Sequence, residues 1–181
     1  MLGDAIRSLV LDGDHPISAR AEALLFMASR AELVENRIDP LLAGGVVVLM
    51  DRFFLSTYAY QIAGRGLPEE HVRAANLLAT RHVIPDLTLV IELSAGDGMA
   101  RVAARGAHDR MERSGDDFHS RVEQAFAAFT SDEWQRSHPE CGRVVGVDGR
   151  GSAEVVHTRV VAAIVKYFVK PPPAGKSDAA S

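Results

Sequence analysis

The chain is short of cysteine, of positive charge and of long apolar runs, and each shortage removes a class of function. Cys141 is the only cysteine among 181 residues. No intrachain disulfide can form, and no cysteine-built metal cage exists. The seven histidines are scattered, with no HxxxH or HExxH pair, so no zinc site is expected. The formal charge is −4, which argues against nucleic acid and membrane surfaces as partners, since both favour a basic excess. Any phosphate site must then be a local cluster of arginines. The longest apolar run, LLAGGVVVLM, is about half the length of a membrane helix and carries a Gly-Gly pair. The opening MLGDAIRSLV has no basic start leading into a long apolar stretch, so no signal peptide is read there. The expected location is the cytoplasm. No internal repeat is visible.

What is present is ordinary globular material, 47% hydrophobic and 24% charged, enough for one domain with a full core. Apolar spacing predicts a helix over 4–11, ended by Asp12-Gly13-Asp14. An alanine-, leucine- and glutamate-rich stretch predicts a long helix over 16–36. A short helix follows over 40–43, broken by Gly44-Gly45. Val46 to Met50 is apolar without alternation, the pattern of a central parallel strand covered on both faces. Pro68-Glu69-Glu70 is a helix start, with proline first and acids in the first turn. That helix should run to about Arg81. LTLVIEL, after Pro85-Asp86, predicts a second buried strand. Helices are expected over 97–105 and 118–129, the latter capped by Ser114 with Asp117 three residues on. RVVGV, from Arg143, predicts a third strand, and 153–168 a last amphipathic helix. The proline-rich tail, 170–181, is expected to be disordered, leaving 1–169 as the domain. Strands alternating with helices make an α/β fold with a parallel sheet, whose ligands bind at the carboxyl ends of the strands.

That rule puts Asp51-Arg52, directly after VVVLM, in the ligand crevice, with a loop rich in hydroxyls, tyrosines and glycines beyond. Arginine there suits phosphate through its planar, always charged fork; a structural pairing with Asp51 fits equally. Asp51 can orient a metal-bound water or Arg52 itself. Phe26 and Arg30, four apart on one helix, share a face. Ring and guanidinium together can hold a flat heteroaromatic base, or be a core residue beside a surface one. Arg101, Arg105, Arg110 and Arg113 crowd a glycine-flanked stretch that either closes over a polyphosphate or is a solvated loop.

In this order the segments resemble the thymidylate kinase family, bacterial type, from Leu2 to about Tyr167. The blocks are the base-binding helix region up to Leu42, DRFFLSTYAYQIAGRG, PDLTLVIEL, and RVAARGAHDRMERSGDDFHSRVEQAF. The second stands for the family's aspartate-arginine-aromatic signature with its Ala-Tyr-Gln and Gly-x-Gly-Arg-Gly, of which Gly64-Arg65-Gly66 is kept. The resemblance implies a P-loop-kinase-like α/β fold, a parallel sheet with helices on both faces. It implies transfer of the terminal phosphoryl group of ATP to dTMP, with magnesium, in a homodimer. It implies that Phe26 stacks on thymine and Arg30 reaches a carbonyl of its edge, while Arg52 clamps the dTMP phosphate. Asp51 would organise the metal and phosphate region. Ser56 and Thr57 would lie by the base, with Thr57 nearer the ring nitrogen. Tyr60 would pack against the sugar where a 2′-hydroxyl would sit, and Gln61 would be a supporting polar contact to the substrate. Arg101, Arg105 and Arg110 would be lid arginines, and VVGVDGRGSAEVV the last strand and adenine loop.

The family also carries a glycine-rich phosphate loop, with a lysine and a Ser/Thr for magnesium, after its first strand. No GxxxxGK[ST] occurs in these 181 residues. Gly175-Lys176-Ser177 has Lys170 where the first glycine belongs. The first two strands of the family are therefore expected to be absent, with VVVLM and LTLVIEL left flanking an empty central position. The alternative expectation is a non-catalytic nucleotide-binding relative or subunit.

Overall fold

A computed structural model describes residues 2–11, 16–93 and 114–169. Helix α1, Leu2–Leu11, leads to α2, Ala19–Leu33, whose start is fixed by the Ser18 hydroxyl accepting from the Ala21 amide at 3.3 Å. The helical path widens into one π turn, Val34–Ile38, and closes as α3, Asp39–Ala43. Gly45, at φ +73°, ends it. Helix α4, Phe54–Thr57, runs into a π-helical stretch, Tyr58–Gly64. Helix α5, Glu69–Thr80, begins after Pro68 with two acids in its first turn and stops at Arg81 in the left-handed conformation. Strand β1, Leu87–Glu92, is followed by α6, Asp116–Phe129, and α7, Asp132–Ser137. Strand β2, Arg143–Asp148, and α8, Ala153–Val169, complete the order.

The two strands pair in parallel and in step, from Leu87 opposite Arg143 to Glu92 opposite Asp148. A parallel pair needs a long crossover, and α6 and α7 lie within it. The main core forms where Val90 and Val144 of the sheet meet Phe54, Leu55 and Tyr58 of the α4 segment and Phe118, Val122 and Phe129 of α6. Helix α8 packs against both strands. A second cluster, Met27 with Val72 and Ala79, joins α2 to α5.

Three expectations change. Val46 to Met50 is not a strand. Val47 and Leu49 are 82% and 87% exposed, and among the described residues only the Val46 amide makes a backbone hydrogen bond, to Leu41 O. Apolar composition suits a buried strand, but a strand exists only with a partner in register, and none pairs with it among the described residues. The stretch after Arg52 is helical from Phe54 to Gly64, not a loop, because Phe54, Leu55, Tyr58 and Ala59 are an apolar helical face in the core. Ser114 does not cap α6. The cap position is Gly115, without a side-chain bond, and the Ser114 hydroxyl accepts from Arg65 at 3.4 Å. The helix read over 97–105 and the tail 170–181 lie outside the described residues.

Candidate functional site

Two elements bring the sequence's candidates together: α2 and the segment from Asp51 to Gly64. Arg30 and Phe26 sit one turn apart on α2, both half-buried. The Arg30 guanidinium crosses to the other wall. Its Nη1 donates to Thr57 Oγ1 at 2.8 Å and to Asn76 Oδ1, and its Nη2 to the Phe53 carbonyl at 3.2 Å. Met27 Sδ lies 3.6 Å from Nη1, and the guanidinium carbon stands 5.5 Å from the centre of the Phe53 ring. Among the described residues every one of these hydrogen-bond partners is neutral. Burial pulls the Arg30 pKa down to about 10, so the group remains a cation at neutral pH with no carboxylate against it.

The residue next to that anchoring carbonyl is Arg52. Its backbone is left-handed, φ +66°, a conformation costing a non-glycine residue about 1–3 kcal/mol and concentrated at functional sites. Its exposed guanidinium donates to Tyr60 Oη at 3.1 Å and stands 5.4 Å from the centre of the Tyr60 ring. Asp51 is exposed and borders a cavity of about 290 Å³ shared with Leu33, Ile38 and Met50. The pair therefore follows an exposed, unpaired segment rather than a strand end. Ser56 is half-buried and Thr57 buried.

Gln61 is turned into a buried network. Its Nε2 donates to Glu22 Oε1 at 3.3 Å. Glu22, 1% exposed, also receives Arg65 in two-pronged fashion, Nε to Oε1 at 3.1 Å and Nη2 to Oε2 at 2.9 Å. Arg65 lies over the Phe118 ring at 4.6 Å. Arg121 of α6 donates to the carbonyls of Ala63 and Gly64 at 3.0 and 2.7 Å. Gly64 approaches Phe118 so closely that an added Cβ would stand 2.5 Å from Cε2. Together these contacts fix the segment carrying Thr57 and Tyr60 against α2 and α6.

Arg30, Thr57 and Phe53 thus form one cluster and Arg52 with Tyr60 another, joined through adjacent backbone. No hydrogen bond or ring contact ties Phe26 to either among the described residues. Arg101, Arg105 and Arg110 lie outside the described residues. The sequence reading passed over Glu22, Arg65 and Asn76. Asn76 was findable as a polar residue on the buried face that Val72, Ala79 and Thr80 mark on α5. Arg65 stands in the DRFFLSTYAYQIAGRG block, but nothing local marks Glu22 as its partner, since their meeting is purely tertiary.

Among the described residues no three histidine, cysteine, aspartate or glutamate side chains converge as a metal cage. Asp51 offers one exposed hard oxygen. That suits a magnesium ion whose other ligands are substrate phosphates and water.

A family model described as thymidylate kinase matches residues 1–138. A thymidylate kinase of Synechococcus sp. (strain JA-2-3B'a(2-13)) is 45% identical over 159 residues, covering 88% of this chain and 72% of that protein. One from Carboxydothermus hydrogenoformans is 40% identical over 155 residues, 86% and 72% of the two chains. One from Thermoanaerobacter sp. (strain X514) is 36% identical over 167 residues, 92% and 78%.

Proposed function

The chain belongs to the thymidylate kinase family, and from that premise we propose that its site takes dTMP as the acceptor of a phosphoryl group from ATP. The observation that carries this reading is Arg30: a charged guanidinium sunk between two helices, without a carboxylate, beside the Thr57 hydroxyl and one residue from Arg52. A half-buried guanidinium held by neutral acceptors, with N–H groups still unused among the described residues, can donate to a ligand carbonyl.

On this reading Phe26 stacks on the thymine and Arg30 donates to a carbonyl of its edge. Thr57 and Ser56 line the base, with Thr57 toward the ring nitrogen. Tyr60 packs where a 2′-hydroxyl would stand, favouring deoxyribose, while Gln61, whose Nε2 is bonded to Glu22, serves as a supporting polar contact. Arg52 leaves Tyr60 for the dTMP phosphate, a charge-assisted exchange. Asp51 holds magnesium with the phosphates; the ion, when bound, neutralises phosphate charge. Arg101, Arg105 and Arg110 close over the phosphates and stabilise the charge of the transferring group. No helix among the described residues is long and apolar enough to cross a membrane. A cytoplasmic homodimer completes the proposal, supported by the exposed Leu2, Leu9 and Leu24 on α1 and α2.

The test is calorimetric titration with dTMP, followed by assay of dTDP formation with ATP and magnesium. Saturable binding, abolished by Arg30→Ala and by Arg52→Ala, is expected. Binding unaffected by either change refutes the site. A second reading is a nucleotide-binding relative or subunit that does not turn dTMP over. Formation of dTDP by the 181-residue chain alone would eliminate it.

A further inference from the structure

Asn76 lies on α5, on the face that meets α2, among Val72, Ala79 and Met27. It is fully buried. Its amide has one satisfied end: Oδ1 accepts from Arg30 Nη1, while Nδ2 has no partner. The orientation is forced. A guanidinium only donates, so the acceptor end must face it and the NH2 must face away. An unmet buried donor is costly. An apolar residue would suit a helix contact formed by Met27, Val72 and Ala79 better. The amide makes sense only through what its oxygen does to Arg30.

Nη1 donates to Thr57 Oγ1 and Asn76 Oδ1, with Met27 Sδ of its own helix as a further, weaker acceptor, and Nη2 donates to the Phe53 carbonyl. Thr57 and Phe53 come from one wall and Asn76 from another helix. Two acceptors on one wall leave the fork free to rock about that wall; Asn76, on α5, stops it. Nε–H and one N–H of Nη2 are left without an acceptor among the described residues. We infer that Asn76 is a positioning residue for base recognition, its Oδ1 setting the plane in which Arg30 meets the base edge. This rests on the reading of Arg30 as the base-recognising group.

The experiment compares dTMP with 2-deoxyribose 5-phosphate, which lacks the base, by calorimetric titration of the full chain. In Asn76→Leu, matched in size and without the acceptor, dTMP affinity should fall about tenfold or more while affinity for the base-free phosphate stays within about twofold. In Asn76→Asp, which keeps the acceptor, dTMP affinity should stay within about threefold of wild type. Arg30→Ala supplies the reference loss. If Arg30→Ala abolishes dTMP binding and folded Asn76→Leu does not weaken it, the positioning role is overturned. A tenfold loss in folded Asn76→Asp overturns it as well, and keeps it refutable should the leucine variant fail to fold. A positional role confined to packing would move both ligands alike, contrary to the inference. If wild type does not bind dTMP, or Arg30→Ala binds it normally, the base-site reading itself fails and the inference falls with it.

Discussion

Replacing Arg65 by methionine removes the charge that faces Glu22 while keeping much of the apolar stem. Glu22 is 1% exposed and the Arg65 side chain 23% exposed, so the carboxylate would be left in the interior with only the 3.3 Å bond from Gln61. Breaking a buried pair from one side costs about 3–5 kcal/mol, because an uncompensated charge remains. Against a total stability of roughly 5–15 kcal/mol that is a large fraction. With a urea m-value of about 2 kcal/mol/M, the unfolding midpoint should drop by about 2 M at unchanged slope. The double variant Glu22→Gln with Arg65→Met should recover most of the loss, since the stranded charge is gone and the introduced side-chain amide can still meet Gln61. Urea unfolding followed by far-UV circular dichroism measures all three. A midpoint drop below about 0.5 M for Arg65→Met, or a double variant no better than the single, would refute the claim that this pair locks α2 to the Tyr58–Gly64 segment.

Three further outcomes are expected. Gly142 has φ +67° and an added methyl would collide with the Pro85 carbonyl oxygen; Gly142→Ala should therefore cost about 3 kcal/mol and lower the melting temperature by roughly 6–12 °C, as calorimetry would record. Cys141 is fully buried, and burial, reinforced by the Glu140 carboxylate, pushes its thiol far above the ordinary range. Iodoacetamide at pH 8 should then leave the native protein unmodified and label it fully in urea, and native labelling at the rate of a free thiol would contradict the packing. The amides of 47–50 make no hydrogen bond among the described residues, whereas those of β1 lie in a ladder. Hydrogen exchange should be close to unprotected at the former and slow at the latter, and equal protection would mean that VVVLM is paired after all.

Local signals carried most of the fold. Pro68 with its two acids marked the start of α5, Gly44-Gly45 the end of α3, and the β-branched runs both paired strands, each through backbone preferences within a few residues. VVVLM failed because its composition states what the segment would do in a sheet and says nothing of whether a neighbour is there. The helix over 54–64 was hidden in a row of tyrosines, serine and threonine that reads as loop by polarity, until the spacing of Phe54, Leu55, Tyr58 and Ala59 is taken as a face. In the site, Arg30, Thr57, Arg52 and Tyr60 were legible because they fall in compact motifs. Glu22 and Asn76 were not, and Arg65, though inside the same block, gave no hint of Glu22: each pairing reaches 39 or more residues to another element, and pairings of that range leave no mark on local spacing.

The two halves of the proposed dTMP site differ in how much ordering they still require. At the base end, Arg30 is held by oxygens from three separate positions, and the wall behind it is tied down by Glu22, Arg65 and Arg121. Ligand binding there finds its donors already fixed and costs little conformational entropy. At the phosphate end, Arg52 is exposed, strained at φ +66°, and follows four residues without backbone bonds among the described residues. Its guanidinium is already engaged by Tyr60, so phosphate contacts must replace contacts it makes now. The strain works in the other direction, because it narrows the backbone states from which Arg52 can reach the ligand. Discrimination between bases therefore belongs to the rigid end. The exposed arginine fits the end of the proposed site where the substrate's charge changes during transfer.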